Sequence, residues 1–204
     1  MSDSEAIVFV VDDDPSVRRS LKRLIRSAGF TVESFVSAQE FLERPRPDIP
    51  GCLVLDIQMP GLSGLDLQDE LAAAKLNLPV IFLTGYGTVP ASVRALKAGA
   101  VDFLEKPVDD GVLLDAIHQA IERNRRARME QAEITEIQRR VDSLSPRERE
   151  VCALLVTGML NKQIASELGT AEKTIKVHRG RLMKKMQAGS MAELVRLAGK
   201  LDIW

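Results

Sequence analysis

Five short apolar runs, each followed by a helical pattern, constrain the fold of the first half of this chain. The clearest is Leu53-Val54-Leu55, which stops at Asp56 and leads into a turn rich in Pro, Gly and Ser. Short apolar runs bounded by turn residues are typical of buried strands in a parallel sheet. Similar runs occupy residues 7–11, 30–35, 79–84 and 101–104. This alternation of strands and helices predicts an α/β fold with a doubly wound, five-stranded parallel sheet.

Four of these predicted strands end in a polar group that could act on a phosphate. The groups are Asp12 with Asp13, then Asp56, Thr84 and Lys106. The carboxyl ends of parallel strands share one edge of a sheet, so these side chains are expected to converge there. Each has an ordinary alternative as a cap, turn former or solvated charge, and Asp56 could simply end its strand. Their shared position at four strand ends favours a common site.

The residue types at this edge suggest phosphoryl chemistry. Crowded carboxylates from Asp12, Asp13 and Asp56 repel each other and favour a bound cation, and hard oxygen ligands suit Mg²⁺. A carboxylate can also accept a phosphoryl group and form an acyl phosphate. Lys106 would neutralise charge on the phosphoryl oxygens, and the Thr84 hydroxyl would bind one of them after transfer. The sequence therefore predicts that Asp56 is the phosphoacceptor.

Charge divides the chain into two parts. Residues 1–125 carry a net charge of −6, whereas residues 126–204 carry +5. This asymmetry indicates two domains with different partners, and the basic one could bind nucleic acid. The two cysteines lie far apart in apolar runs, and we see neither a signal peptide nor an apolar run long enough to cross a membrane. These features favour a cytoplasmic protein without a membrane partner.

The basic part has the pattern of a small helical domain. Ser145, Pro146 and Glu148 form a capping-box sequence at a helix start. Three more helices are predicted, at 161–168, at about 172–186 and at 191–201. Two short helices around a Gly-containing turn, with a strongly basic second helix, are typical of a helix-turn-helix.

The segment between the two parts has two interpretations. No Pro or Gly occurs between Val112 and Leu144, which favours a continuous helix. Residues 124–131 lack an apolar stripe, so a flexible break near Arg125–Arg128 is the alternative. We therefore divide the chain into a first domain at 1–125, a helical linker at 126–140 and a helix-turn-helix domain at 141–204.

The first domain resembles the receiver domain of two-component response regulators. The resemblance rests on four motifs in order: VVDDD at 10–14, LDIQMPG at 55–61, LTG at 83–85 and FLEKP at 103–107. It implies a CheY-like, flavodoxin-type sheet and a metal site completed by the backbone carbonyl of Gln58. It also implies that Phe103 is an aromatic switch that turns inward when Thr84 moves, although Phe103 could be a plain core residue. The side chains of Gln58 and Tyr86 would flank the acyl phosphate and set its lifetime.

The second domain resembles LuxR-type DNA-binding domains, through LSPREREV at 144–151, NKQIA at 161–165 and TIKVH at 174–178. By this resemblance Lys176 and Val177 would face base edges, and Gly180 would lack a reader that some relatives carry. The remaining candidate contacts, mainly to phosphates, are Lys173, Thr174, His178, Arg179, Arg181 and Lys184. The last helix, with Leu194, Val195 and Ala198, resembles the one such domains use to dimerise on DNA.

Together the two resemblances imply a response regulator of the FixJ/NarL class, closer to FixJ. A sensor histidine kinase would phosphorylate Asp56, receivers would pair, and the dimer would bind promoter DNA, with RNA polymerase as a further partner. The main rival is an aspartyl phosphatase, but such enzymes place a second Asp two residues after the nucleophile, where this chain has Gln58. A receiver locked in one state, serving only in assembly, is a third interpretation. We expect no turnover of an external substrate.

Overall fold

The computed structural model describes residues 6–85 and 89–201, and it divides the chain into two compact units. The first unit comprises Met1–Arg128 and the second Met129–Trp204. The second unit thus includes residues 129–140, which the sequence division assigns to the linker. Among the residues described, no helix is long and apolar enough to cross a membrane.

The first unit contains a five-stranded parallel sheet in the order β2-β1-β3-β4-β5, which confirms the predicted doubly wound fold. Helices alternate with the strands along the chain. The strands are β1 Ile7–Val11, β2 Thr31–Phe35, β3 Gly51–Leu55, β4 Val80–Thr84 and β5 Asp102–Glu105; the helices are α1 Pro15–Ser27, α2 Ala38–Glu43, α3 Gly64–Ala73, α4 Val89–Lys97 and α5 Asp110–Asp142.

Two apolar cores cover the two faces of this sheet. Every residue of the three central strands β1, β3 and β4 is buried, as expected where helices pack on both faces. On one face Val10 and Val54 pack with Ile25 of α1 and Ile117 of α5. Alternate residues face the other core, which includes Phe9, Phe41, Leu53, Leu67 and Phe82. The resulting support makes the sheet a rigid base for its loops.

Strand pairing brings the predicted polar residues to one edge. Val11 and Leu55 are partners in the register of β1 and β3, so Asp12 and Asp56 follow adjacent strand ends. The Asp56 N–H donates to the carbonyl of Val11 at 2.9 Å, which continues the pairing by one residue. On the other side, the N–H of Lys106 donates to the carbonyl of Thr84 at 2.9 Å.

A buried amide holds the opposite edge of the sheet. The Oδ1 of Asn124 in α5 accepts the N–H of Gly51 at 3.1 Å, and its Nδ2 donates to the carbonyl of Asn77 at 2.6 Å. Buried backbone groups at a sheet edge need such partners. Asn124 therefore ties α5 to the start of β3 and to the loop that precedes β4.

The second unit consists of the last part of α5 and four helices, α6 Pro146–Val156, α7 Asn161–Glu167, α8 Glu172–Met186 and α9 Met191–Gly199. The predicted capping box is present, because Ser145 and Glu148 accept each other's backbone N–H groups at 3.3 and 2.8 Å. Ile137 and Val141 of α5 are buried in the same core as α6 and α8. This part of α5 is a structural element of the helical unit, and α5 runs unbroken through residues 125–128.

The loop after β3 approaches α3 very closely. The N–H of Gly64 donates to the carbonyl of Ile57 at 3.0 Å, and Ser63 caps α3 by accepting the N–H of Asp66. A Cβ atom on Gly64 would lie 2.2 Å from the carbonyl oxygen of Asp56. Only glycine therefore allows α3 to begin where it does without moving the peptide group of Asp56.

We predict that Gly64→Ala lowers the free energy of unfolding of the first unit by about 1–3 kcal/mol, because the loop must shift to accept the methyl group. Gly85→Ala is the matched control, since a Cβ there meets no heavy atom within 4 Å. Urea denaturation followed by circular dichroism measures both. Equal free energies of unfolding for the two variants would contradict the close approach of Gly64 to the carbonyl of Asp56.

Candidate functional site

Three carboxylates form an acidic pocket at the carboxyl edge of the sheet. Oxygen atoms of Asp12, Asp13 and Asp56 lie within 4.8 Å of one another. Asp12 is 2% exposed and Asp56 9% exposed, whereas Asp13 is open to solvent. The pocket therefore combines two buried acids with one acid at its mouth.

Lys106 links the two buried acids. Its Nζ donates to Asp12 Oδ2 and to Asp56 Oδ2, both at 2.6 Å. Burial disfavours the charged ammonium, but the hydrogen bonds to Asp12 and Asp56 outweigh it, and the pKa of Lys106 is raised above its usual value. Lys106 is thus a fixed cation between these two carboxylates.

Burial destabilises the charged carboxylate of Asp12. Its burial raises the pKa of its carboxyl above the usual value, although Lys106 and the N–H of Asp14 lower it through hydrogen bonds. One ammonium is shared by two acids here, with the third nearby. A divalent cation would relieve this repulsion, and hard carboxylate oxygens beside open solvent suit the octahedral, partly hydrated Mg²⁺ ion. The donor set fits the predicted metal.

Gln58 and Thr84 contact residues of the pocket through backbone groups. The backbone N–H of Gln58 donates to Asp56 Oδ1 at 3.2 Å, which holds the loop that follows β3 against the acid. Thr84 is completely buried at the end of β4. Tyr86, predicted to flank an acyl phosphate, lies outside the described residues.

Phe103 lies in β5, next to β4. Its ring centroid is 6.2 Å from that of Phe82, with the rings tilted by 41°, and the residue is partly buried at the border of one core. Phe103 and Phe82 are also partners in the strand register. The position suits both interpretations made from the sequence, a core aromatic and a side chain that can change its burial.

Two features of the pocket were missed by sequence reasoning. One is the close approach of Gly64 to Asp56. The other is Arg18, whose Nη1 donates to the backbone carbonyls of Asp12 and Asp13 at 2.7 and 2.8 Å. From the sequence Arg18 belongs to the polar face of α1. The only signal for its role is its place one turn into a helix that follows an acidic run.

The basic helix α8 presents one buried and one exposed face. Ile175, Leu182 and Met186 lie in the core of the second unit. The exposed face carries six of the eight predicted DNA contacts, namely Lys173, Thr174, Lys176, Val177, Arg181 and Lys184. Val177 is 47% exposed, so its apolar side chain is accessible to a partner.

The other two predicted contacts lie at the borders of this face. Arg179 is half-buried and its Nη1 donates to Asn161 Oδ1 at 3.3 Å, which braces α8 against α7. His178 is also half-buried, and its Nδ1 is buried without a hydrogen-bond partner among the described residues. The two side chains therefore have packing roles in addition to any contact they make with DNA.

Lys185 is exposed like its neighbour Lys184, but its ammonium is bound by groups of the protein itself. Its Nζ donates to the buried carboxylate of Glu148 at 2.7 Å and to the carbonyl of Ser143 at 2.9 Å. Burial opposes the charge on Glu148, but Lys185 and the N–H of Ser145 outweigh it and hold its pKa below the usual value. This ion pair joins α8 to the start of α6.

Helix α9 packs three of its residues into the core of the second unit, namely Leu194, Leu197 and Ala198. Leu194 and Ala198 are buried in the core of the second unit, while Val195 remains 44% exposed. Glu133 in α5 forms ion pairs with Arg196 and Lys200 beside α9. Of the three residues named for the dimer helix, only Val195 is available to a partner.

Comparison with known proteins identifies both units. Residues 8–118 match the response regulator receiver domain, and residues 142–198 match the luxR family of bacterial regulatory proteins. Nodulation protein W of Bradyrhizobium diazoefficiens is 52% identical over 200 residues, which cover 98% of this chain and 88% of that protein. The transcriptional regulatory protein FixJ of the same species is 46% identical, over 94% of this chain and 93% of FixJ.

Solved structures give the same result. The response regulator StyR superposes with a TM-score of 0.88 at 48% identity, covering 97% of this chain and 100% of StyR. Full-length FixJ from B. japonicum superposes with a TM-score of 0.58 at 43% identity, covering 98% and 99% of the two chains. This chain belongs to the two-component response regulators that join a receiver domain to a LuxR-type DNA-binding domain.

Proposed function

We propose that phosphorylation of Asp56 by a sensor histidine kinase controls DNA binding by the helical domain. The observation that carries the proposal is the contact of one ammonium, Lys106 Nζ, with both Asp12 and Asp56 at 2.6 Å inside the acidic pocket. A single cation shared between two buried carboxylates is poised to rearrange when one of them gains a phosphoryl group.

Asp56 would act as a nucleophile through a carboxylate oxygen. The oxygen attacks the phosphorus of a phosphohistidine on the kinase, the phosphorus–nitrogen bond breaks, and an acyl phosphate forms. The ammonium of Lys106 would then bind a phosphoryl oxygen in place of one carboxylate oxygen, and the N–H of Gln58 would keep the carboxyl group oriented. The hydroxyl of Thr84 would bind a further phosphoryl oxygen.

Mg²⁺ would be held by the carboxylates of Asp12, Asp13 and Asp56 and by the backbone carbonyl of Gln58. When bound, it neutralises charge on the transferring phosphoryl oxygens. The exposed position of Asp13 keeps the mouth of the pocket open to water, which this ion retains in its coordination shell.

Movement of Thr84 would be passed to Phe103, which lies on the neighbouring strand. The altered surface would favour pairing of two receivers, and pairing would place two helical domains on one DNA site. Two linked weak contacts bind far more tightly than one. Phosphorylation would then act as a population shift, with promoter DNA as the target and RNA polymerase as a further partner. Since the donor histidine and promoter DNA are both found in the cytoplasm, the protein would act there.

On α8, Lys176 and Val177 would meet base edges, as in the LuxR-type domains that this unit resembles, and both side chains are exposed. Lys173, Thr174, Arg181 and Lys184 are exposed on the same helix and would bind phosphates, which set the position of the helix. Arg179 and His178, at the borders of the face, would contact the backbone while bracing the helix. Lys176 also pairs with Glu172 at 3.0 Å in the free protein, and DNA would replace this exposed pair.

A phosphatase that turns over external substrates is the rival function. Such an enzyme needs an acid two residues after the nucleophile to protonate the leaving group, and Gln58 cannot do so. FixJ is named as a transcriptional regulatory protein and StyR as a response regulator. We therefore propose that phosphoryl chemistry in this chain is confined to its own Asp56.

We predict that acetyl phosphate with Mg²⁺ adds one phosphoryl group to the full-length protein, and that peptide mapping places it at Asp56. Asp56→Asn should abolish the modification, because an amide does not form the acyl phosphate. Asp48→Asn is the control, since Asp48 is an almost fully exposed acid outside the pocket. Labelling of Asp56→Asn at the wild-type level would contradict the proposal.

We also predict that neighbouring lysines of α8 respond differently to salt. Lys184→Ala should weaken binding to duplex DNA and reduce the slope of log K against log [salt] by about 0.9, because one phosphate contact is lost. Lys185→Ala should leave that slope unchanged, and should destabilise the helical unit by about 1–3 kcal/mol because Glu148 stays buried without its cation. Fluorescence anisotropy and thermal melts measure these effects. A reduced salt slope for Lys185→Ala would refute the distinction.

A further inference from the structure

Arg18 connects the first helix to the backbone of the acidic loop. Its Nη1 donates to the carbonyl oxygens of Asp12 and Asp13 at 2.7 and 2.8 Å. The side chain is half-buried, in contrast to Arg19, Arg23 and Arg26 of the same helix, which are exposed. One guanidinium therefore holds both consecutive peptide groups that carry the acids.

The side chain of Asp13 depends on this backbone anchor. Asp12 is held directly, since its carboxylate accepts the N–H of Asp14 at 2.9 Å and bonds to Lys106. No hydrogen bond or ion pair of the Asp13 carboxylate is found within residues 6–85 and 89–201, yet it lies within 4.8 Å of the other two acids. Because peptide groups are planar, fixing the two carbonyls also restricts the direction of the Cα–Cβ bond between them. Arg18 therefore restricts the backbone from which this third acid projects.

We propose that Arg18 is a positioning residue for divalent cation binding, acting through Asp13. The proposal rests on the proposed function, because it assigns a role within the same metal pocket. Groups that orient metal ligands without touching the metal commonly change its affinity by a factor of ten or more. Arg18 would do so through backbone carbonyls, leaving the ligand side chains free for the metal.

Electrostatics alone predicts the opposite result for removal of Arg18. A guanidinium close to a cation site repels the cation, so its loss should strengthen metal binding. Loss of positioning should weaken it. The direction of the change therefore separates a positioning role from a simple charge effect.

The test is a titration of the full-length protein with Mg²⁺ alone, by isothermal titration calorimetry without a phosphodonor. We expect Arg18→Ala to raise the Kd by about tenfold. Arg19→Ala, which removes the same charge from the next, exposed residue, should leave the Kd unchanged or slightly lower. Arg18→Lys keeps a donor without the planar fork, and should recover part of the affinity. Thermal melts establish that each variant is folded, and if Arg18→Ala does not fold, Arg18→Lys is compared with Arg19→Lys.

A double-mutant cycle with Asp13→Asn tests the route of the effect. If Arg18 acts through Asp13, removal of Arg18 from the Asp13→Asn protein should raise the Kd for Mg²⁺ by much less than tenfold, because the two residues act as a unit. The proposal would be overturned if removal of Arg18 raised the Kd by the same factor in the wild-type and Asp13→Asn proteins. An Arg18→Ala protein that binds Mg²⁺ as tightly as wild type, or more tightly, would also overturn it. A wild-type protein that binds no Mg²⁺ would instead overturn the metal site of the proposed function.

Discussion

The contact of Lys106 with Asp12 and Asp56 is the interaction on which the receiver site depends. Three carboxylates gathered at one sheet edge repel each other, and two of them are buried, so the cluster needs a cation. Lys106 supplies one positive charge from the end of β5. One charge does not neutralise three, and the remaining imbalance is what makes the pocket suited to a divalent ion and to a phosphoryl group.

Much of this arrangement could be predicted from the sequence because parallel sheets obey a simple rule. Apolar runs that end at Asp12, Asp56, Thr84 and Lys106 must bring those residues to one edge. The buried face of α8 was equally predictable, since Ile175, Leu182 and Met186 recur at helical spacing. The response-regulator family followed from the same residues.

The features that sequence reasoning missed are contacts between distant backbone and side-chain atoms. The bonds of Arg18 to two carbonyls, and the approach of Gly64 to the carbonyl of Asp56, depend on how a helix starts relative to a loop. Periodicity does not encode such details. Likewise, Lys184 and Lys185 are equivalent in sequence, yet only Lys185 reaches the buried Glu148. In the helix that resembles the dimerisation helix, Leu194 and Ala198 are buried and Val195 is exposed, a distinction that spacing alone does not make.

We propose that the state of Asp56 decides whether the helical domain occupies its promoters. The most direct test is selection of genomic DNA fragments by the full-length protein treated with acetyl phosphate and Mg²⁺, beside Asp56→Ala at the same concentration. We expect the wild type to enrich a discrete set of sites with two-fold symmetry, and Asp56→Ala to enrich them weakly. Recovery of the same sites at the same occupancy by Asp56→Ala would contradict the account.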